Sequence, residues 1–129
     1  KCKVVSKENS RNILIEKAVN IKDGNVTFYP IDQEKTETSW KDGNPGASSL
    51  FKSSGKYKIE NYVQNEITVD GTRLDTICNK YDIQFIDVLW MDIQGGELNA
   101  LKSLGGKIKN LKIIHTEVEF MEVYEKVTK

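Results

Sequence analysis

The stretch "IDVLWMDIQGGELNAL", Ile86 to Leu101, constrains this chain more than any other. The run "FIDVLWM" that leads into it is nearly all apolar, as strands covered on both faces of a parallel sheet tend to be. It stops at Asp92, passes Gly95-Gly96 and resumes at Glu97, after which Leu98, Leu101 and Leu104 follow at helical spacing. Gly105-Gly106 ends that helix, and "LKIIHTEVEF" supplies a second aliphatic strand. Strand, helix and strand in this order predict a βαβ unit with parallel pairing, its handedness set by general chirality rules. The fold class is α/β.

The flanking segments read less sharply. "NILIEKAV", Asn12 to Val19, is compatible with a buried strand, and Asp23-Gly24 marks a turn. "VTFYPI" is rich in β-formers, but Pro30 demotes it toward a sheet edge. Asp32 to Lys58 collects Gly, Ser, Asn and Pro around Trp40, Leu50 and Phe51, so it is either a mobile linker or a functional loop that docks. "YKIENYVQNEITVD" adds one or two strand-like runs that end at Asp70-Gly71. Thr72 and Asp75 then match a capping box. Leu74, Ile77, Cys78 and Tyr81 form the apolar face of the helix that follows, which makes Cys78 a small core residue rather than a nucleophile.

Composition excludes several classes of function. A chain of 129 residues fits one domain, and 19 basic against 19 acidic residues leave no broad field for nucleic acid or an anionic membrane. Cys2 and Cys78 have neither zinc-ligand nor disulfide-framework spacing, so a reducing, cytoplasmic setting is expected. No apolar run is long enough to cross a bilayer, and "KCKVVSKENS" lacks the apolar region of a secretory signal. His115 is the single histidine; with no second ligand in sight it reads as a packed strand residue, and no metal is expected.

Ligands of open α/β sheets bind beyond the carboxyl ends of the strands. Asp92 lies at that end of the first strand of the βαβ unit and Glu117 late in the second, so the two carboxylates can converge on one crevice. Gly95 and Gly96 let the backbone turn sharply and approach a ligand there. A structural reading stands beside this one: Asp92 caps the turn, and Glu97 interacts with the dipole in the first helical turn. Glu117 and Glu119 share a strand face by alternation, and the earlier one is the candidate.

The pattern "TRLDTI…IQFIDVLWMDIQGGELNALKSLG…LKIIHTEVEFMEVYE" resembles the FkbM-type methyltransferase family, as do "EKAVNIKDGNVTFY" and "NPGASSLFK" upstream. The resemblance covers most of the chain from about Asn12. It implies a Rossmann-like fold that binds S-adenosylmethionine and transfers its methyl group, usually to a hydroxyl oxygen of a glycan or secondary metabolite. Asp92, Gly95 and Glu97 match the family's D-x-x-G-x-E signature and Glu117 the glutamate of the next strand; Lys17 and Ala18 fall where such folds place backbone beside the adenine ring. Asp92 is then the proton acceptor, Glu117 orients the acceptor hydroxyl, and Lys17, Ala18, Gly95 and Glu97 hold the cofactor. Gly96 stands where alanine is more usual. The glycine-rich turn that holds the methionine part, and the final strands, are not seen in the sequence, so residues 1–129 are expected to be one partial methyltransferase domain, internal to a longer one. The Asp42 to Ser49 loop is expected to lie over the acceptor side and to order when substrate binds. Two other readings remain: a non-catalytic Rossmann-like module binding a partner through Trp40 to Phe51, and another nucleotide-dependent α/β enzyme such as a glycosyltransferase.

Overall fold

In the computed structural model, which describes residues 11–125, the β-forming runs pair into two separate sheets. The elements are β1 (Ala18–Val19), β2 (Gly24–Phe28), β3 (Ile67–Thr72), α1 (Leu74–Lys80), β4 (Ile86–Met91), α2 (Glu97–Ser103) and β5 (Leu111–Thr116), with 3-10 turns at Pro45–Ala47 and Gly105–Asn110. In the first sheet β3 lies between β1, which it meets in parallel, and β2, which it meets antiparallel. In the second, β4 and β5 run parallel with Ile86 opposite Leu111 and Met91 opposite Thr116. Because α2 connects two parallel neighbours, β4-α2-β5 is the expected βαβ unit. The architecture is mixed α/β.

Several local expectations hold for the reasons given. Pro30 follows β2, an edge strand, where its missing N–H breaks no ladder. Gly105 stands just past α2 with φ +53, the left-handed conformation that closes a helix at low cost. Cys78 is buried on the inner side of α1, whereas Tyr81 at the end of the same stripe is exposed. Cys2 lies outside the described residues.

Others are corrected. Of the run from Asn12 to Val19 only Ala18 and Val19 pair, opposite Gly71 and Thr72, and Ile13 is 60% exposed. An apolar run becomes a strand only where a neighbour supplies hydrogen bonds, and β3 reaches β1 for two residues. Nor does the strand end at Asp70-Gly71. β3 continues through it to Thr72, and a Cβ on Gly71 would lie 2.8 Å from a Val26 methyl and 2.9 Å from the Gly24 carbonyl oxygen, so glycine admits close approach of β2.

The capping box is likewise absent. The Thr72 hydroxyl pairs with Asp23 (3.0 Å), and Asp75 is gripped by the Arg73 guanidinium (2.6 and 2.8 Å). Distant groups serve the start of α1 instead: the Asp23 carboxylate accepts from Arg73 N–H at 2.9 Å, and Ser103 Oγ from Leu74 N–H at 3.0 Å. The Arg73 N–H bond is the main cause holding Asp23 below the usual carboxylate range. Ser103 is buried at the end of α2, so this bond ties the two helices together where they pack.

The "FIDVLWM" strand is not covered on both faces by the described residues. Val88 and Trp90 share a face with their register partners Ile113 and His115, and Val88 and Ile113 are both more than half exposed. Met91, on the opposite face of β4, is buried. On the open face the His115 ring stacks on Trp90, with centroids 3.8 Å apart, so the histidine is packed as expected, but at the surface.

Candidate functional site

Met91 and Thr116 are the last register pair of the parallel strands, so the chain leaves them side by side as Asp92 and Glu117. Both side chains are exposed at the carboxyl ends of their strands. Beyond Asp92 the backbone enters left-handed conformation twice, at Gln94 (φ +51) and Gly95 (φ +88). Gly95 adopts this freely; Gln94 does so at a cost of order 1–2 kcal/mol.

The turn is closed from within. Glu97 Oε1 accepts a hydrogen bond from Ile93 N–H at 3.1 Å, and Gly96 N–H reaches the Ile93 carbonyl at 3.3 Å. Glu97 therefore closes the turn that sequence reasoning offered to Asp92, and no side chain caps the start of α2. The Asp92 carboxylate accepts instead from the Gln94 side-chain amide.

The segment from Asp32 to Lys58, irregular as it is, docks on this turn. Isolated antiparallel bridges anchor it at Tyr29–Ser49, Glu37–Asn61 and Ser53–Tyr124, and Ile31–Gln64 pairs the chain on either side of it. Ala47 and Ser49 are buried, and Ser49 Oγ donates to the Gln94 carbonyl at 2.6 Å while accepting from Phe51 N–H at 3.0 Å. Trp40, the most conspicuous apolar residue of the loop, is 63% exposed and takes no part in this. The Glu60 carboxylate knots the loop's first half, receiving the Thr38 and Tyr62 hydroxyls and the Asn44 amide. Burial pushes the Glu60 carboxyl up, but these three donors outweigh it and leave it below its ordinary value.

Tyr124 is the largest fully buried side chain among the described residues. Main-chain bonds from Ser54 N–H to Val123 and from Glu125 N–H to Lys52 (2.9 and 2.8 Å) carry it under the loop, where its ring stacks on Tyr62. Its hydroxyl lies 2.8 Å from the Ala47 carbonyl oxygen and 3.1 Å from Gln94 Oε1. Burial is the main cause raising this phenol, with Tyr62, Glu119, Asp92 and Glu60 adding to it.

Glu119 is the residue that sequence reasoning passed over. One of its carboxyl oxygens, Oε2, is buried and without a hydrogen-bond partner among the described residues. Burial, followed by the charges of Glu97 and Glu117, raises its proton affinity above the ordinary glutamate value. Alternation from Glu117 was the available signal, although β5 ends at Thr116 and neither glutamate lies on the strand as expected. For Tyr124, Ser49 and Gln94 there was none beyond proximity to the motif, because their partners are distant in sequence.

Lys17 and Ala18 are not brought to this turn by any hydrogen bond or ion pair among the described residues. Ala18 lies on β1, in the other sheet, and Lys17 just before it; both line a cleft of about 370 Å³ with Glu16, Phe28, Val69 and Asp70. Lys17 pairs loosely with Asp70 at 3.8 Å. Phe28 and Val69 give this open cleft apolar walls. At the turn, the Glu97 oxygen that meets Ile93 N–H is already used by the fold. Among the described residues no three His, Cys, Asp or Glu side chains are arranged to hold a metal ion.

The strand-turn-helix and the paired strand after it are parts of a longer match. The Methyltransferase FkbM domain profile aligns with residues 3–128, nearly the whole chain. The chain belongs to the FkbM methyltransferase family. Among curated relatives of this FkbM domain, the 2-O-methyltransferase NoeI of Sinorhizobium fredii is 28% identical over 114 residues, covering 87% of the chain and 45% of that protein. A bifunctional phosphonoacetaldehyde hydrolase/aminoethylphosphonate transaminase of Clostridioides difficile is 29% identical over 84 residues, covering 54% of the chain and 13% of that protein. The chain thus spans under half the length of either relative. No solved structure matches.

Proposed function

We propose that the protein to which this chain belongs transfers the methyl group of S-adenosylmethionine to a hydroxyl oxygen of a glycan or secondary metabolite. The family match over residues 3–128 carries this reading, and the name of the Sinorhizobium relative favours oxygen as the acceptor atom. The parallel β4-α2-β5 unit supports a Rossmann-like fold, of which residues 1–129 form a part. No helix among the described residues is long and apolar enough to cross a membrane, and balanced charge argues against nucleic acid as a partner; a cytoplasmic enzyme acting on a small molecule or glycan fits both.

When bound, S-adenosylmethionine supplies an electrophilic methyl group on a sulfonium. Lys17 and Ala18 are assigned to its adenine end, on the apolar walls of their cleft, and Gly95 and Glu97 to the turn it approaches. Methyl transfer needs the acceptor oxygen held in line, which is largely a positioning problem. Glu117 would orient that hydroxyl, and Asp92 would accept its proton. The docked loop from Asp42 to Ser49 covers the turn and limits water there.

Calorimetry of the intact protein with S-adenosylmethionine or its demethylated product tests the cofactor, and absence of binding to both overturns the reading. Asp92→Asn tests the base: turnover should fall by roughly a hundredfold or more while cofactor affinity moves much less. Near-normal turnover in the folded variant returns Asp92 to a structural role.

A further inference from the structure

Gln94 occupies a left-handed position that glycine would take without strain, and an observed backbone outlier at a turn of this kind asks for a reason. Its contacts supply one. The side-chain amide spans two groups that do not otherwise meet by a hydrogen bond among the described residues: the nitrogen donates to Asp92 Oδ1 and the oxygen lies 3.1 Å from the Tyr124 hydroxyl. Ser49 Oγ holds the Gln94 main chain in place at 2.6 Å.

Proton counting makes this bridge more than a brace. The Tyr124 hydroxyl has one proton and faces two acceptors, the Ala47 carbonyl at 2.8 Å and Gln94 Oε1 at 3.1 Å, so it cannot fully satisfy both. With Asp92 ionised, the amide must present its nitrogen to the carboxylate and its oxygen to Tyr124. Once Asp92 carries a proton, it becomes a donor. The amide can then turn over, its oxygen accepting from Asp92 and its nitrogen donating to the phenol oxygen, which would free the single Tyr124 proton for Ala47. Every donor then has its own acceptor.

We propose that Gln94 is a positioning residue for Asp92, and that through Tyr124 it couples the proton state of that carboxylate to the grip on the loop around Ala47. The inference rests on the reading of Asp92 as the proton acceptor for its place in the reaction. The loop is held more tightly after the acceptor hydroxyl has lost its proton and loosens when Asp92 releases it. Other charges act on the same region: Glu119, Glu60 and Tyr62 on Tyr124, and Glu97 and Glu117 on Glu119. An Asp92→Asn control separates their titration from that of Asp92.

The experiment measures hydrogen-exchange protection of the Ala47, Ser48 and Ser49 amides against pH in the intact protein, with the Asp92 carboxyl carbon resonance followed in parallel. These amides bond to Asn44, Pro45 and Tyr29 carbonyls and report on the loop. In the wild type, protection should rise about threefold to tenfold as Asp92 takes up its proton, the range expected for strengthening one hydrogen bond. Asp92→Asn and Gln94→Leu should both abolish that step. Tyr124→Phe keeps the ring against Tyr62 and removes only the hydroxyl, and it should abolish the step while Asp92 still titrates. A flat wild-type profile, or a step that survives in Tyr124→Phe, overturns the coupling. Turnover of Asp92→Asn is read separately: normal turnover with a lost step removes the base assignment and leaves the coupling, whereas slow turnover with a flat wild-type profile does the reverse.

Discussion

Replacing Ser49 by alanine removes one oxygen from a buried position and should cost more than the size of the change suggests. Ser49 is 1% exposed, and its Oγ makes two bonds, donating to the Gln94 carbonyl at 2.6 Å and accepting from Phe51 N–H at 3.0 Å. Both partners are main-chain groups that a methyl cannot satisfy. A hydrogen bond lost in this way costs about 1–1.5 kcal/mol, and more when its partner stays buried and unpaired, so the pair totals about 2–4 kcal/mol. That is a large share of the roughly 5–15 kcal/mol that holds a domain folded. Urea unfolding of the intact protein should show a midpoint lowered by about 1–2 M at unchanged slope. Exchange should quicken first at the Phe51 amide and through the Asp42–Ser49 loop. A loss below about 0.5 kcal/mol, with the loop still protected, would refute the view that this serine fastens the loop to the Asp92 turn.

Gly43→Ala should release the other end of the loop: Gly43 has φ +70 and a Cβ there would lie 2.4 Å from the Gln33 carbonyl oxygen, so the backbone must move, at about 2–4 kcal/mol, and limited proteolysis should cut between residues 38 and 50. Gly96→Ala, the residue more usual in the family, meets Ile93 at 3.2–3.3 Å in a conformation alanine can adopt, so thermal unfolding should register a change within about 1 kcal/mol; a loss above about 2 kcal/mol would show that Ile93 cannot yield. Glu119 has its folded-state proton affinity raised above the ordinary 4.5, so the stability it contributes is full below that value and is lost as pH rises through the folded value. Glu119→Gln should therefore be more stable than the wild type near neutral pH and lose that advantage toward about pH 4, as read from urea midpoints; an advantage independent of pH would place its origin elsewhere.

The βαβ unit was legible because its information is local. An unbroken apolar run, a leucine stripe and paired glycines each act within a few residues, and Asp92 and Glu117 follow from them as the ends of parallel neighbours. Family membership was legible for a similar reason, since the strand-turn-helix signature is contiguous. What the local pattern left open was decided by partners far along the chain. Asp92 was the local candidate to cap the turn and Glu97 only a charge at the helix dipole, yet in the folded turn it is Glu97 whose carboxylate reaches Ile93 N–H. Thr72 and Asp75 have capping-box spacing, yet Asp23 and Arg73 engage them, because a charged or bidentate partner outcompetes a local bond. The run from Asn12 has strand composition, but strand formation depends on a neighbour, and β3 meets only Ala18 and Val19. Trp40, Leu50 and Phe51 hinted only that the loop docks, whereas Ser49 and Tyr124 hold it through hydrogen bonds to main-chain groups 45 and 77 residues away in sequence. Periodicity records which face of an element is apolar, and carries no record of which distant carbonyl a buried hydroxyl will find.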